Sequence, residues 1–406
     1  MNKRRVAIFT GNRAEYGLQY PILQAVNDHP NLDYRLIVSG AHLDKNFGNT
    51  RQEINNDGFR IDSEVRIQPT LRSAFTTAEA IGIGITEMSK ALAIIRPNIL
   101  VVYADRFEGF AAVIASSQMN IPTAHIEGGD LTEGGALDDS VRHAMTKLSH
   151  LHFTTNKQAT NRILAMGEEK WRVHTVGLPS LDLIKKKQFA DSEEVKKRLN
   201  LDLSRPIAVF TQHSVTTEHM QAISQLKPSL NAIRGLAKEG VQVVLTYPNN
   251  DVGGIDIVKS LEQFADRGFE NISVHKSLGR HLYHGVLALA RKKHLRVVCI
   301  GNSSSGIKET PAFSCPTVNI GSRQQGRLRG SNVLDTGYNA DEITNAVRYC
   351  LFDDAFRESC RKAKNPYWMG GAGAKIASVL ADVPLDSKLI RKRMMLAGET
   401  KQGWYR

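Results

Sequence analysis

Short apolar runs alternate with longer amphipathic stretches along most of this chain. Strand candidates in the first half are Val6–Thr10, Tyr34–Ser39, Ile99–Tyr103, Thr123–Glu127, Leu151–Thr155 and Val173–Val176. Helix-period stretches such as Tyr16–Asn27, Thr77–Ile95 and Arg106–Gln118 lie between several of them. Runs that are apolar on both faces, separated by helices, predict parallel sheets covered on both sides. The charged segment 182–205, closed by Pro206, interrupts the rhythm and reads as an interdomain connection carrying a short surface helix. The alternation restarts with Ile207–Gln212, Val241–Tyr247, Ile272–His275, Val297–Ile300 and Thr317–Ile320. The expected fold class is α/β, with two Rossmann-like doubly wound domains facing a cleft. Residues 1–185 would form the first domain and 204–365 the second, with 366–406 as a helical segment and basic tail. Ligands in such sheets bind beyond the carboxyl ends of the strands.

Composition adds limits. The 406 residues are 41% hydrophobic and 23% charged, ordinary for a globular protein. No apolar run reaches membrane-span length, and the N-terminal apolar stretch reads as a first strand rather than a signal peptide. The four cysteines lack zinc-like spacing and suit reduced core thiols in a cytoplasmic protein. The net charge of +12 is diffuse and not interleaved with aromatic residues, so neither nucleic acid nor membrane is expected as a partner. A basic balance also suits phosphate ligands.

The candidate chemistry sits at strand ends. GNSSSGIKET, residues 301–310, follows an apolar strand and leads into a helix, which places N–H groups and the Ser303 and Ser304 hydroxyls where an anion could bind. Glu309, about a turn further on, is placed to grip a ribose diol. Arg13, in TGNRAEYG after the first strand, could fork onto a phosphate. Asp105 in YADRFEG and Glu127 in HIEGG end neighbouring strands, a pairing suited to acid–base work. Asp138 and Arg142 are four apart on one helix face, joined to Glu127 through the Gly-rich loop Gly128–Gly135. His213 ends the first strand of the second half and is the best general acid–base candidate. His275 ends another strand there and is a binding candidate, and Arg323 and Arg327 lie in GSRQQGRLRG beside the phosphate motif. No residue cluster has metal-ligand spacing, so no metal is expected.

GNRAEYG, ADRFEG, HIEGG, DDSVRH, QHSVTTE, GNSSSGIKE and GSRQQGR occur in that order. Together, over about residues 5–350, they resemble the hydrolysing UDP-N-acetylglucosamine 2-epimerases of bacterial sialic-acid and legionaminic-acid pathways. They are also similar to the epimerase half of the animal bifunctional epimerase/kinase. The resemblance implies a fold of the GT-B glycosyltransferase type. It implies catalysis by Asp105, Glu127, Asp138, Arg142 and His213. UDP would be bound by Arg13, Ser303, Ser304 and Glu309, with Arg323 and Arg327 near the phosphates. It implies elimination of UDP to a glycal and rehydration with inversion at carbon 2, without a cofactor, in a homodimer or homotetramer. Tyr103-Ala104 stands where the family often has His-Gly, and the loop 128–137 is longer than usual. Both features lie near the expected sugar site. They leave UDP-N-acetylglucosamine and a UDP-2,4-diacetamido-2,4,6-trideoxy sugar open as substrates. The rival readings are a non-hydrolysing 2-epimerase, a GT-B glycosyltransferase and a non-catalytic nucleotide-sugar sensor.

Overall fold

The computed structural model describes residues 3–43, 50–67, 74–132, 137–249 and 253–395. Strands β1 (Arg4–Thr10), β2 (Leu32–Ser39), β3 (Ile61–Val65), β4 (Ile99–Tyr103), β5 (Thr123–Ile126), β6 (Leu151–Thr154) and β7 (Val173–Thr175) form a first parallel sheet. Its order is β3-β2-β1-β4-β5-β6-β7. Strands β8 (Ile207–Thr211), β9 (Gln242–Thr246), β10 (Ile272–His275), β11 (Val297–Gly301), β12 (Thr317–Ile320) and β13 (Val333–Thr336) form a second, ordered β10-β9-β8-β11-β12-β13. Every strand pair is parallel. Each sheet reverses direction of winding once, between β1 and β4 and between β8 and β11, which creates a crevice at the strand ends there.

Period-2 alternation explains why both faces are apolar. In β1, Val6 and Ile8 pack on one face with Tyr16, Ile22 and Val26 of the helix Arg13–Asp28. Ala7 and Phe9 pack on the other with Met88 and Leu92 of the helix Ala74–Ile95. In the second sheet, Val209 and Val297 face Leu282 and Val286, while Phe210 and Val298 face Leu226 and Ile233. The two strands that the pattern misses, β3 and β13, are sheet edges; β3 carries Asp62 and Ser63 half-buried and Glu64 exposed, and β13 carries Asp335 exposed. A one-sided strand needs no continuous apolar run.

The connecting segment is less independent than its charge suggests. Its helix Ser192–Leu199 is capped by the Asp191 carboxylate and ended by left-handed Asn200. Val195, Leu199 and Leu201, with Leu178, Leu181 and Ile184 before them, are buried in the second domain's core. The chain later returns. The helix Ala372–Asp382 buries Ala372, Ile376 and Leu380 in the first domain's core, against the helix Arg13–Asp28. A Cβ on Gly373 would lie 2.5 Å from the Pro21 carbonyl, so only glycine permits this approach. Asp182 accepts from the N–H groups of Gly371 and Gly373, both at 2.9 Å, and so caps that helix from the connection. The two crossings touch where the Leu178 N–H meets the Tyr367 carbonyl at 3.0 Å. Among the described residues no helix is long and apolar enough to cross a membrane.

Candidate active site

The site begins where β4 and β5 end side by side, with Tyr103 paired to Ile126. Immediately beyond, Ala104 and Glu127 adopt φ of +55° and +63°. Non-glycine residues rarely occupy this region, and the turn aims the next side chains over the sheet edge. His125 braces both turns. Its Nε2 bonds the Ala104 carbonyl at 2.6 Å and its Nδ1 the Thr146 hydroxyl at 3.1 Å. Burial pulls its imidazole down to about 3, so the ring is neutral and donates to Ala104. Glu127 is 4% exposed and accepts from the Tyr103 hydroxyl at 2.5 Å. Burial, then the Glu127 charge, raises the Tyr103 phenol well above its ordinary range, so it remains a donor.

Asp105 forms an ion pair with Arg142 of the helix Leu137–Leu148. Arg142 is fully buried and also donates to the Asp139 carboxylate at 2.8 Å and the Asp130 carbonyl at 2.7 Å. Asp139 in turn accepts from the N–H and hydroxyl of Thr132, both at 2.8 Å. The i, i+4 spacing pointed to Asp138 as the partner of Arg142. The structure pairs Arg142 with Asp139 at i, i+3 instead, because the helix turns Asp139 inward and leaves Asp138 half-buried at the rim. Of the loop Gly128–Gly135, residues 133–135 lie outside the described residues.

The second domain meets this edge through β8 and β11. Gly301 has φ +123°, and a Cβ there would lie 2.0 Å from the Thr211 carbonyl, so the turn into the serines requires glycine. Asn302 is buried and clamps His213 at both ends. Its Oδ1 accepts from the His213 N–H at 2.7 Å and its Nδ2 donates to the His213 carbonyl at 2.9 Å. The Asn249 N–H donates to His213 Nδ1 at 3.0 Å, which places the proton of the neutral ring on Nε2. Arg323 and Gln324 donate to the Asn302 carbonyl at 3.2 and 2.8 Å, tying the arginine-rich loop to the serine turn. Ser303, Ser304 and Ser305 are half-buried at the start of the helix Ser304–Lys308. That helix has only five residues, so anion attraction here rests on hydroxyls and first-turn N–H groups rather than a long dipole.

Three other candidates have distinct surroundings. Arg13 opens the helix Arg13–Asp28 and is half-buried, without a hydrogen bond or ion pair among the described residues. Burial pulls its guanidinium down, opposed by the charge of Glu53. Glu309 accepts from Ser180 and Ser305, both at 2.5 Å, and bonds His284 at 3.2 Å. Burial would raise its carboxyl, but His284 and the two hydroxyls hold it at about 2. Both its oxygens are already engaged, so a ribose diol would have to share them. His275 ends the edge strand β10, and its Nε2 bonds the Ser273 hydroxyl at 3.0 Å.

Sequence reasoning missed Asp130, Asn302 and Lys308, and marked Tyr103 only as a family departure near the sugar site. Lys308 pairs with Glu127 and, at 2.5 Å, with Asp130 across the domain boundary. Burial would raise the Asp130 carboxyl; Lys308 and Arg327 outweigh it and hold it low. Arg327 lies 3.5 Å from Asp130 and donates to the Leu131 carbonyl at 3.2 Å. Arg327 therefore stitches the domains together in this structure. An inward-pointing lysine within GIKET carries no sequence signal, because the same letters suit an exposed helix. Among the described residues, no group of three or more His, Cys, Asp or Glu could hold a metal ion.

Asp105 and Glu127 thus follow the ends of adjacent strands in one domain, and the serine turn of the other, to which Asn302 ties His213 and Arg323, is joined to Glu127 through Lys308. This set can abstract a proton, return one, and stabilise an anionic leaving group. Residues 24–381 match the protein family described as UDP-N-acetylglucosamine 2-epimerase. A Legionella pneumophila protein named UDP-N,N'-diacetylbacillosamine 2-epimerase (hydrolyzing) is 31% identical over 393 residues, 96% of this chain and 98% of its own. A Campylobacter jejuni protein named GDP/UDP-N,N'-diacetylbacillosamine 2-epimerase (hydrolyzing) is 31% identical over 339 residues, 84% of this chain and 86% of its own. The crystal structure of a UDP-GlcNAc 2-epimerase from Neisseria meningitidis bound to UDP-GlcNAc superposes with a TM-score of 0.77 at 17% identity, covering 93% of this chain and 99% of that one.

Proposed function

This chain belongs to the UDP-N-acetylglucosamine 2-epimerase family, and from that premise we propose that it is a hydrolysing 2-epimerase of a UDP-2-acetamido sugar. The products are UDP and the free manno-configured sugar, a precursor for nonulosonic acids of the sialic or legionaminic type. The observation that carries the reading is the cleft itself. Asp105 and Glu127 reach it from adjacent strand ends, and His213 is locked to the serine turn opposite them by Asn302.

In this reading a first-domain carboxylate, Glu127 foremost, takes the proton from carbon 2. The C1–O bond to the diphosphate breaks as the C1=C2 double bond forms. Arg13, Arg323 and the Ser303 and Ser304 hydroxyls carry the charge that develops on the diphosphate. The His213 Nε2–H is set to donate a hydrogen bond on its side of the cleft, and the Asn249 N–H holds the ring in that tautomer. Water then adds its oxygen to carbon 1 while a proton reaches carbon 2 from the opposite face, giving the inverted sugar. Asp105 and Asp138 serve proton transfer and sugar orientation, with Arg142 fixing Asp105. Glu309 braces the serine turn beside the ribose, and His275 borders the base.

The Legionella and Campylobacter names support a UDP-2,4-diacetamido-2,4,6-trideoxyglucose as substrate, beside UDP-N-acetylglucosamine, which names a relative of equal identity. The test offers each nucleotide-sugar without an acceptor and measures UDP and free sugar. The reading expects UDP release from at least one of them. Recovery of an epimerised nucleotide-sugar with no UDP would assign the chain to the non-hydrolysing reaction.

A further inference from the structure

Lys308 is 3% exposed, yet it lies only five residues after Ser303, on the segment proposed to hold the diphosphate. Its ammonium leaves the second domain and enters the first. There it pairs with Glu127 and with Asp130, the latter at 2.5 Å. The Tyr367 ring lies 5.2 Å from the ammonium, and the Lys308 carbonyl accepts from Asn365 Nδ2 at 2.8 Å. A buried lysine loses its hydration, and here two carboxylates compensate it. The surrounding contacts all act on the same first-domain stretch. Tyr103 donates to the second Glu127 oxygen, Arg327 reaches Asp130 and Leu131, and the Gly326 N–H donates to the Thr132 carbonyl at 2.6 Å.

We propose that Lys308 is a positioning residue that couples the nucleotide-binding turn to the Glu127–Thr132 segment, holding the Glu127 carboxylate at its working place. Gripping a diphosphate at Ser303–Ser305 fixes the turn that carries Lys308. The ammonium then fixes one Glu127 oxygen while Tyr103 fixes the other. Without the ammonium, Glu127 and Asp130 are two buried carboxylates facing each other with their shared cation gone. Repulsion and the need for water would then draw the segment away from the second domain. The placement of Lys308 is independent of the chemistry, but its effect on turnover rests on the epimerase reading above.

The experiment compares the full chain with Lys308→Met, Lys308→Arg and Lys308→Gln by hydrogen exchange and turnover. In Lys308→Met, amides of the segment Glu127–Thr132 should exchange at least about tenfold faster, with β1 unchanged. Lys308→Arg should restore most of that protection, because it keeps the charge. Turnover with the UDP-sugar should fall by about tenfold or more in Lys308→Met, with KM within about twofold, and recover in part in Lys308→Arg. If Lys308→Met does not fold, Lys308→Gln, which can still donate one hydrogen bond, must show the same directions at smaller size. Unchanged exchange at Glu127–Thr132 in a folded Lys308→Met or Lys308→Gln protein overturns the proposal. Faster exchange in an enzyme whose wild type releases no UDP would uphold the placement and reject the epimerase reading instead.

Discussion

Replacing Arg142 with Met should destabilise the first domain by about 3 kcal/mol. Removing one partner from a buried ion pair costs about 3–5 kcal/mol, because the remaining charge is left uncompensated. Arg142 is fully buried and serves two carboxylates, Asp139 at 4% and Asp105 at 18% side-chain exposure. The low end of the range applies for two reasons. Asp105 keeps contact with water, and Asp139 keeps the N–H and hydroxyl of Thr132. Met fills most of the volume, so little of the cost is cavity. Urea unfolding followed by tryptophan fluorescence is the assay. Trp171, with the Arg172 guanidinium 4.2 Å from its ring, reports on the first domain. For a slope of about 3 kcal/mol/M, the midpoint of that transition should fall by about 1 M. Adding Asp139→Asn should recover at least about 1 kcal/mol, because a neutral amide needs no counter-ion. A loss below about 1 kcal/mol, the level of an exposed pair, would refute the argument that these charges depend on one another.

Glu127→Gln and His213→Asn should each lower turnover by about 10²–10⁴-fold. Calorimetry should find UDP affinity largely kept in both, and near-normal turnover in both would remove them from the chemistry. Arg13→Ala should weaken UDP binding by about 1.5–3 kcal/mol, the range for a hydrogen bond to a charged group, with stability little changed. Unaltered affinity by titration would place Arg13 outside the nucleotide site. Glu15 gives a pH prediction. Burial, partly opposed by the Gly11 N–H, raises its carboxyl to about 8, so the folded chain holds it protonated where the unfolded chain would ionise it. The cost is absent below the unfolded value near pH 4.5, grows as pH rises, and levels off above about pH 8. Glu15→Gln should therefore match wild-type stability at pH 4 and exceed it increasingly up to pH 8. Denaturation midpoints across that range would show it, and a constant difference would contradict the linkage.

What the sequence could and could not reveal follows from what each feature depends on. Buried parallel strands such as Ile99–Tyr103 and Thr317–Ile320 announce themselves, because both faces must be apolar. The same rule hides β3 and β13, whose outer sides meet solvent. Asp105, Glu127 and His213 could be located because a polar residue ending such a strand must emerge at the sheet edge. The choice between Asp138 and Asp139 could not be made from spacing, since it depends on how the helix is rotated against β4 and β5. Arg327 and Lys308 were opaque for a related reason. Their partners lie in the other domain, and no local pattern encodes which surfaces meet across a cleft. The return of Ala372–Asp382 to the first domain is equally non-local, because its apolar face says that it packs but not against what.

The most direct test of the elimination and rehydration account is to run the reaction in deuterated water and read carbon 2 of the released sugar by proton NMR. The account predicts free manno-configured sugar carrying deuterium at carbon 2, formed together with UDP. Released sugar that retains its original protium at carbon 2 would contradict it.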